Sequence, residues 1–295
     1  MDRFGEMRVF IRVVERRSFR QAAAALGIPA STATDAVKRT EARLGVRLLD
    51  RTTRVVAPTL DGEAWYRRCL RIVGEVEDAE AAFRGGAPAG RLRVEAHGTL
   101  ARHFLLPGLP AFLAAHPALE LVLSDGDRLV DPVREGVDCA VRVGVPADSD
   151  LVARRLGLLP EITAAAPGYL ARHGTPRSPD GLADHRSVGF LSSRTGAPLR
   201  FAFTLAGGVV ERDLRPALVA TGAETMIAAA RLGLGLIQAP RYHLAEDLAA
   251  GRLVEVLAGA PPPPSPVSVL YPRDRHLSPR VRPFLDWIAG IAFGG

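Results

Sequence analysis

Six residues, GGAPAG at 85–90, split this 295-residue chain into two parts whose apolar residues follow different periods. Glycine and proline at that density continue neither a helix nor a strand, so the run predicts a flexible hinge at 86–90. Ahead of it, apolar residues recur every three to four positions, the spacing of amphipathic helices. Behind it, short apolar runs alternate with helical stretches, which is α/β organisation. The chain therefore divides into a helical part over 1–60, a helix over 61–85 and an α/β module over 91–295.

Composition excludes whole classes. With 47% hydrophobic and 24% charged residues the chain is globular in type, not disordered, collagen-like or a disulfide scaffold. No stretch approaches the roughly 18 uninterrupted apolar residues of a membrane span. The opening segment carries Asp2, Arg3, Glu6, Arg8, Arg12 and Glu15, so no secretory leader and no membrane partner are expected. Cys69 and Cys139 stand 70 positions apart with no Cys/His cluster, as a reduced cytosol tolerates. One lysine, Lys38, no asparagine and abundant Ala, Gly, Pro and Arg suggest a GC-rich bacterium, and the expected location is its cytoplasm.

Charge is concentrated at one end. Residues 1–60 hold twelve basic and six acidic side chains, while the remainder holds 26 of each, so the whole net charge of +6 lies in the first fifth. Such a segment is the footprint of a polyanion-binding module, although a solvated basic face gives the same count. The helix pattern decides between them. Phe4, Met7, Phe10, Ile11, Val13 and Val14 give one apolar face to an opening helix that ends near Arg17. Ser18 with Gln21 forms a capping box for a second helix stopped by Gly27. A third runs from about Ala30 to Leu44, with Ser31, Thr34, Asp35, Lys38 and Arg39 outward. Two short strands, 46–49 and 54–57 around a Thr52-Thr53 tip, would make a wing. This is a winged helix-turn-helix, which lays its third helix in the major groove of double-stranded DNA.

The wording of these segments resembles the LysR-type transcriptional regulators. The resemblance runs through VFIRVVERRSFRQAAAALG, EARLGVRLLDRTTR and PTLDGE, and continues in GRLRV, DCAVRVG, PGYLARHGTP and GLGLI. It implies base contacts from the outward face of the third helix, Ser31, Thr32, Thr34, Asp35, Lys38 and Arg39, with Ser18 and Gln21 on the same surface. It implies phosphate contacts from the wing at Arg51, Thr52 and Arg54. Local roles stay open: Ser31 and Thr32 as caps, Arg51 as a partner of Asp50 or Glu41. Two positions depart from the family. Asp35 replaces a usual basic residue, and either accepts from a cytosine amino group or faces its own helix dipole. Pro29-Ala30 replaces a usual Ser-Pro, leaving Thr32 with Asp35 as a substitute capping pair.

Over 61–85, Trp65, Cys69, Ile72, Val76, Ala79 and Phe83 follow spacings of 4, 3, 4, 3 and 4, a heptad seam flanked by acids. The seam predicts pairing with a second copy, with Cys69 a packed hydrophobe and a core helix as the alternative. Two reading heads imply an interrupted palindrome, and the resemblance adds pairing of dimers into tetramers and contact with RNA polymerase.

In the α/β module the expected elements are strands at 92–96, 119–124 and 139–143 and helices at 99–115 and 129–135. Then come apolar segments at 162–166, 169–173, 187–191 and 199–205, a helix at 223–232, segments at 234–238 and 267–271, and a closing helix at 279–291. By resemblance this is a pair of Rossmann-like subdomains of periplasmic-binding-protein type, the first over about 91–160 and 266–295, the second over about 161–265. A small-molecule effector would lie in the cleft between them. Candidate wall residues are Gly98, Thr99 and Leu100, the loop from Gly144 and Val145, Phe201, Phe203, Thr221 and Gly222. Thr99 and Thr221 also suit helix caps.

Catalytic signatures are missing: no G-x-S-x-G, H-E-x-x-H, phosphate loop or intact G-x-G-x-x-G occurs. His97 and His103 are the nearest histidine pair and do not have metal-ligand spacing, so no metal, no cofactor and no enzymatic activity are expected. The expected function is a sequence-specific regulator under effector control. The alternative is a constitutive repressor or architectural DNA-binding protein whose effector module binds nothing.

Overall fold

The computed structural model describes residues 1–51, 56–84, 87–125, 136–145, 151–193, 195–273 and 278–294. Helix α1 (Arg3–Arg16) opens on Asp2, whose carboxylate accepts from the Gly5 amide at 2.8 Å. Helix α2 (Phe19–Leu26) opens on Ser18, whose hydroxyl accepts from the Gln21 amide, and stops at Gly27 with φ of 65°. Helix α3 (Ala30–Leu44) begins directly after Pro29 with no side-chain cap, so the expected Thr32–Asp35 capping pair is not used. Proline already fixes the entry φ, and the Thr34 hydroxyl instead donates back to the Ala30 carbonyl at 3.0 Å. Val9, Phe10, Val13, Ala22, Ala33, Ala36 and Val37 close one core beneath these three helices. Strands β1 (Leu49–Arg51) and β2 (Val56–Pro58) pair antiparallel, while the Thr52-Thr53 tip lies outside the described residues.

Helix α4 (Leu60–Arg84) is capped by Thr59, whose hydroxyl accepts from the Gly62 amide at 2.9 Å. Gly62 is demanded by close approach, because a β-carbon there would stand 1.9 Å from the Leu48 carbonyl oxygen. The first half of α4 does not present the expected seam. Trp65 packs on the N-terminal core and Cys69 is fully buried in it, since this stretch lies across α1. Further along, Ile72 is half-buried, Val76 and Ala79 are exposed, and Phe83 is 93% exposed. Burial pushes the Cys69 thiol up to about 12.

The module from residue 90 onward has two cores. The first surrounds a five-stranded sheet in the order β4 (Leu119–Asp125), β3 (Gly90–Ala96), β5 (Cys139–Val143), β14 (Ser265–Pro272), β6 (Leu151–Leu159). Strand β3 is parallel to β4 and β5, whereas β14 is antiparallel to β5 and β6. The expected single helix over 99–115 is broken. A short turn, Gly98–Leu100, runs into a π-helical turn, Ala101–Leu105, and a separate helix, Leu109–Ala115, starts after Pro107. Cys139 is buried in this core, its thiol raised by desolvation and by neighbouring Asp138.

The second core gathers β7 (Glu161–Ala165) between antiparallel β12 (Ile237–Pro240) and β13 (Val254–Val256). Strands β8 (Arg186–Phe190) and β11 (Arg215–Ala220) pair in parallel, and β9 (Phe201–Leu205) forms an antiparallel pair with β10 (Gly208–Arg212). Residues 169–173 belong to a helix, Pro167–His173, and the expected helix over 129–135 lies outside the described residues. Chain crossings near 160 and 265 join the two cores.

Candidate functional site

On α3, Ser31, Asp35, Lys38 and Arg39 are exposed and Thr32 and Thr34 half-buried, with exposed Gln21 and half-buried Ser18 on the neighbouring α2. Arg39 is also tied back to α1. Its Nε donates to Glu6 on α1 at 2.8 Å, and Arg43 donates to the other Glu6 oxygen at 2.8 Å. Burial opposes the charge on Glu6, but hydrogen bonds and attraction from Arg39 and Arg43 outweigh it and hold the carboxyl below its ordinary range. Glu41 accepts from the Leu48 and Leu49 amides, fixing the entry to β1. Asp35 sits beyond the first turn of α3, where the helix dipole has faded, so the dipole reading loses its basis. The Arg51 side chain and residues Thr52 and Arg54 lie outside the described residues.

Between the two cores of the α/β module lies a cavity of about 510 Å³. Gly98, Thr99, Thr221 and Gly222 line it as the sequence suggested. Leu100, Phe201 and Phe203 do not: all three are buried in hydrophobic cores, and Gly144 and Val145 lie off the cavity wall. The Thr99 hydroxyl is shared among His97 Nδ1 at 2.8 Å, the Tyr242 hydroxyl at 3.2 Å and His243 Nε2. One donor and two acceptor positions are all that a hydroxyl offers, so these partners use it up. Burial pushes Tyr242 up to about 12, which keeps its hydroxyl protonated and able to donate. Thr99 thus pins the first core to the helix Arg241–Ala249 of the second. At the mouth, Arg102 donates to Glu224 at 2.6 Å across the gap.

A third set of contacts ties the N-terminal helices to the module. Glu15, at the end of α1, accepts from Arg91 at 2.5 Å and Arg93 at 2.7 Å, both on β3. Asp78 on α4 accepts from the Ser278 hydroxyl at 2.8 Å, and Arg280 reaches from the same loop to Asp138 at 3.1 Å.

Comparison with known proteins decides the lineage. Residues 4–63 match the family described as bacterial regulatory helix-turn-helix protein, lysR family, and residues 85–291 match the LysR substrate binding domain. The chain is 37% identical over 293 residues to the HTH-type transcriptional regulator YhjC of Escherichia coli K12, covering 99% of this chain and 98% of that protein. Among solved structures it is similar to CrgA, a LysR-type regulator of Neisseria meningitidis, with 33% identity, 97% of each chain covered and a TM-score of 0.60. It is also similar to full-length AphB, a Vibrio cholerae virulence activator, with 28% identity, 98% and 99% covered and a TM-score of 0.60.

This chain belongs to the LysR family of transcriptional regulators.

A LysR-type regulator carries a helix-turn-helix DNA-binding domain and a substrate-binding domain, which are the two parts found here. In this regulator further polar and charged side chains complete the cleft wall. His97, Arg102, Asp125, Ser193 and Glu224 line it, together with Leu191 and Ala223. His97, Arg102 and Glu224 flank the glycine-threonine pairs already singled out, so extending each strand-to-helix turn by a few residues recovers them. Asp125 closes β4, and only the parallel pairing of β3 with β4 brings it beside Gly98. Among the described residues no group of side chains could hold a metal, and no helix is long and apolar enough to cross a membrane.

Proposed function

We propose that this LysR-type regulator binds an interrupted palindrome as a homodimer that pairs further into a tetramer. In this reading a small molecule in the cleft changes the separation of the reading heads and hence DNA bending and polymerase contact. The protein acts in the cytoplasm and without turnover. Strand β3 carries the reading. Its Arg91 and Arg93 sit on Glu15 of the DNA-binding part, and its end leads directly into His97 and Gly98 on the cleft wall. At about 3.3 Å per residue it is a strut of roughly 20 Å between the two places. A ligand acts through it only by binding one arrangement better than the other.

The test is fluorescence anisotropy on DNA from upstream of the protein's own coding sequence, against scrambled DNA, at low and near-physiological salt. The expected result is preference for the native fragment and weakening with salt. Compounds that stabilise the protein should then shift its half-site spacing preference. Glu15→Gln should keep DNA binding and lose that shift. Equal binding to both DNAs, or spacing indifferent to every bound compound, would refute effector control and favour a constitutive or architectural protein.

A further inference from the structure

We infer that Arg17 and Arg20 form a phosphate clamp at the entry to α2, a second grip on DNA beside the reading helix α3. The inference rests on the DNA binding that the family carries and not on effector control.

Arg17 is held in a strained backbone. It closes α1 in the left-handed region, at φ 49° and ψ 28°. A β-carbon there crowds the following carbonyl, which is why glycine so often takes the position. The next two helices obey that rule, since Gly27 closes α2 at φ 65° and Gly45 closes α3 at φ 72°. Among the described residues one other non-glycine residue has a positive φ, Leu257, and its side chain packs on the second core. Arg17 gains nothing comparable. It is exposed and makes no hydrogen bond or ion pair with any described residue. An exposed arginine kept in a conformation that glycine prefers marks a side chain used outside its own fold.

Arg20 stands in the first turn of α2. Ala22 and Ala23 are buried in the core, while Arg20, Gln21 and Ala24 are exposed. Arg20 also has no partner among the described residues. Arg16 differs, because it lies beside the Glu15 and Glu120 carboxylates and eases the charge on both.

What Arg17 and Arg20 meet follows from the motif. When the second helix of a helix-turn-helix lies in the major groove, the first crosses the sugar–phosphate backbone. In this chain those helices are α3 and α2, so the start of α2 comes to phosphates and not to base edges. Arginine suits that place. Its planar fork takes two phosphate oxygens at once, and it gives up water more readily than an ammonium does. Each phosphate it neutralises also releases a counterion. Such contacts add affinity on every sequence and specify none.

The test is anisotropy with the full-length protein on the upstream fragment and on scrambled DNA across a salt series. Urea unfolding of the same variants is followed at Trp65 in a Trp287→Phe background. Arg17→Gly should move the two readouts in opposite directions. Relief of the left-handed strain should raise the urea midpoint by about 0.3 M or more. Loss of a phosphate contact should weaken binding to both DNAs by roughly three- to ten-fold at near-physiological salt and flatten the salt slope by about 0.9. Arg17→Lys keeps both charge and strain, and should bind within about two-fold of the parent. Arg20→Ala should repeat the loss on both DNAs without the gain in midpoint. Arg177→Gln, exposed in the effector module, removes the same charge elsewhere and should change neither readout.

An Arg17→Gly variant that binds both DNAs as the parent does, a loss confined to the specific fragment, a loss that Arg177→Gln matches, or a midpoint that falls overturns the proposal. The two readings fail separately. A parent that binds neither DNA removes DNA binding itself, whereas a parent that binds while its arginine variants match it removes the clamp alone.

Discussion

Glu6 offers the sharpest test of how α3 is held. Replacing it by glutamine keeps the shape but leaves an amide facing two guanidinium groups that now share a carboxylate with only 5% of its surface exposed. A hydrogen bond to a charged group contributes about 1.5–3 kcal/mol when buried. Arg39 is half exposed and recovers water when its partner is lost, so its share falls to about 0.5 kcal/mol, within the range of surface pairs. Arg43 is two-thirds covered and keeps about 1.5 kcal/mol. The expected loss is about 2 kcal/mol, below the roughly 3–5 kcal/mol of breaking a fully buried pair because both arginines keep contact with water. Trp65 packs on the same core and reports on it once Trp287, in the other domain, is replaced by phenylalanine. Urea unfolding followed by Trp65 fluorescence then measures the difference. Its pH dependence has a fixed sign. A carboxyl held below its ordinary value stabilises the fold above the unfolded pKa of about 4.5, and that contribution is lost as pH falls through the folded value. The variant should therefore be weaker at pH 7, and the gap should narrow as pH falls below about 4.5. A loss under about 0.5 kcal/mol at pH 7, or one that does not change with pH, refutes the reasoning.

Gly62→Ala drives a methyl into the Leu48 carbonyl, so α4 must shift; the same urea assay should show a loss at the upper end of the 1–3 kcal/mol typical of overpacking. Lys38→Ala, exposed on α3 among the expected base contacts, should cost about 1–3 kcal/mol on the specific fragment and less on scrambled DNA, read by anisotropy on both. Phe83→Asp places a charge where α4 is bare; if this end of the helix pairs with a second copy, sedimentation should show a lighter species with unchanged monomer folding.

The N-terminal helices were legible because their boundaries are written locally. Ser18, Gly27 and Gly45 each act within a few residues, and α3 lies where its apolar spacing placed it. Strand β6 was not legible. It lies on the sheet edge and exists through pairing with β14, more than a hundred residues away, which no local pattern announces. Phe201 and Phe203 show a second limit. Alternation identifies β9 as a strand but does not say which face meets the cleft, and both rings turn to the core. Cys69 shows a third, since one apolar stripe on α4 serves its own domain in the first half and is uncovered in the second. The cleft charges gather from three separate turns, so their meeting is a property of the topology alone.

The two buried thiols give the protein an internal stopwatch. Cys69 lies in the core of the DNA-binding part and Cys139 in the first core of the effector module, each protonated and out of reach while its surroundings are closed. Modification by a small alkylating reagent then requires local opening, and its rate at each sulfur reports how often that domain breathes. Because the cysteines fall one to a domain, mass spectrometry of the labelled peptides times the two openings in one sample, with no engineered label. DNA should slow the first clock, a cleft ligand the second, and any cross-effect is a direct reading of the traffic between them.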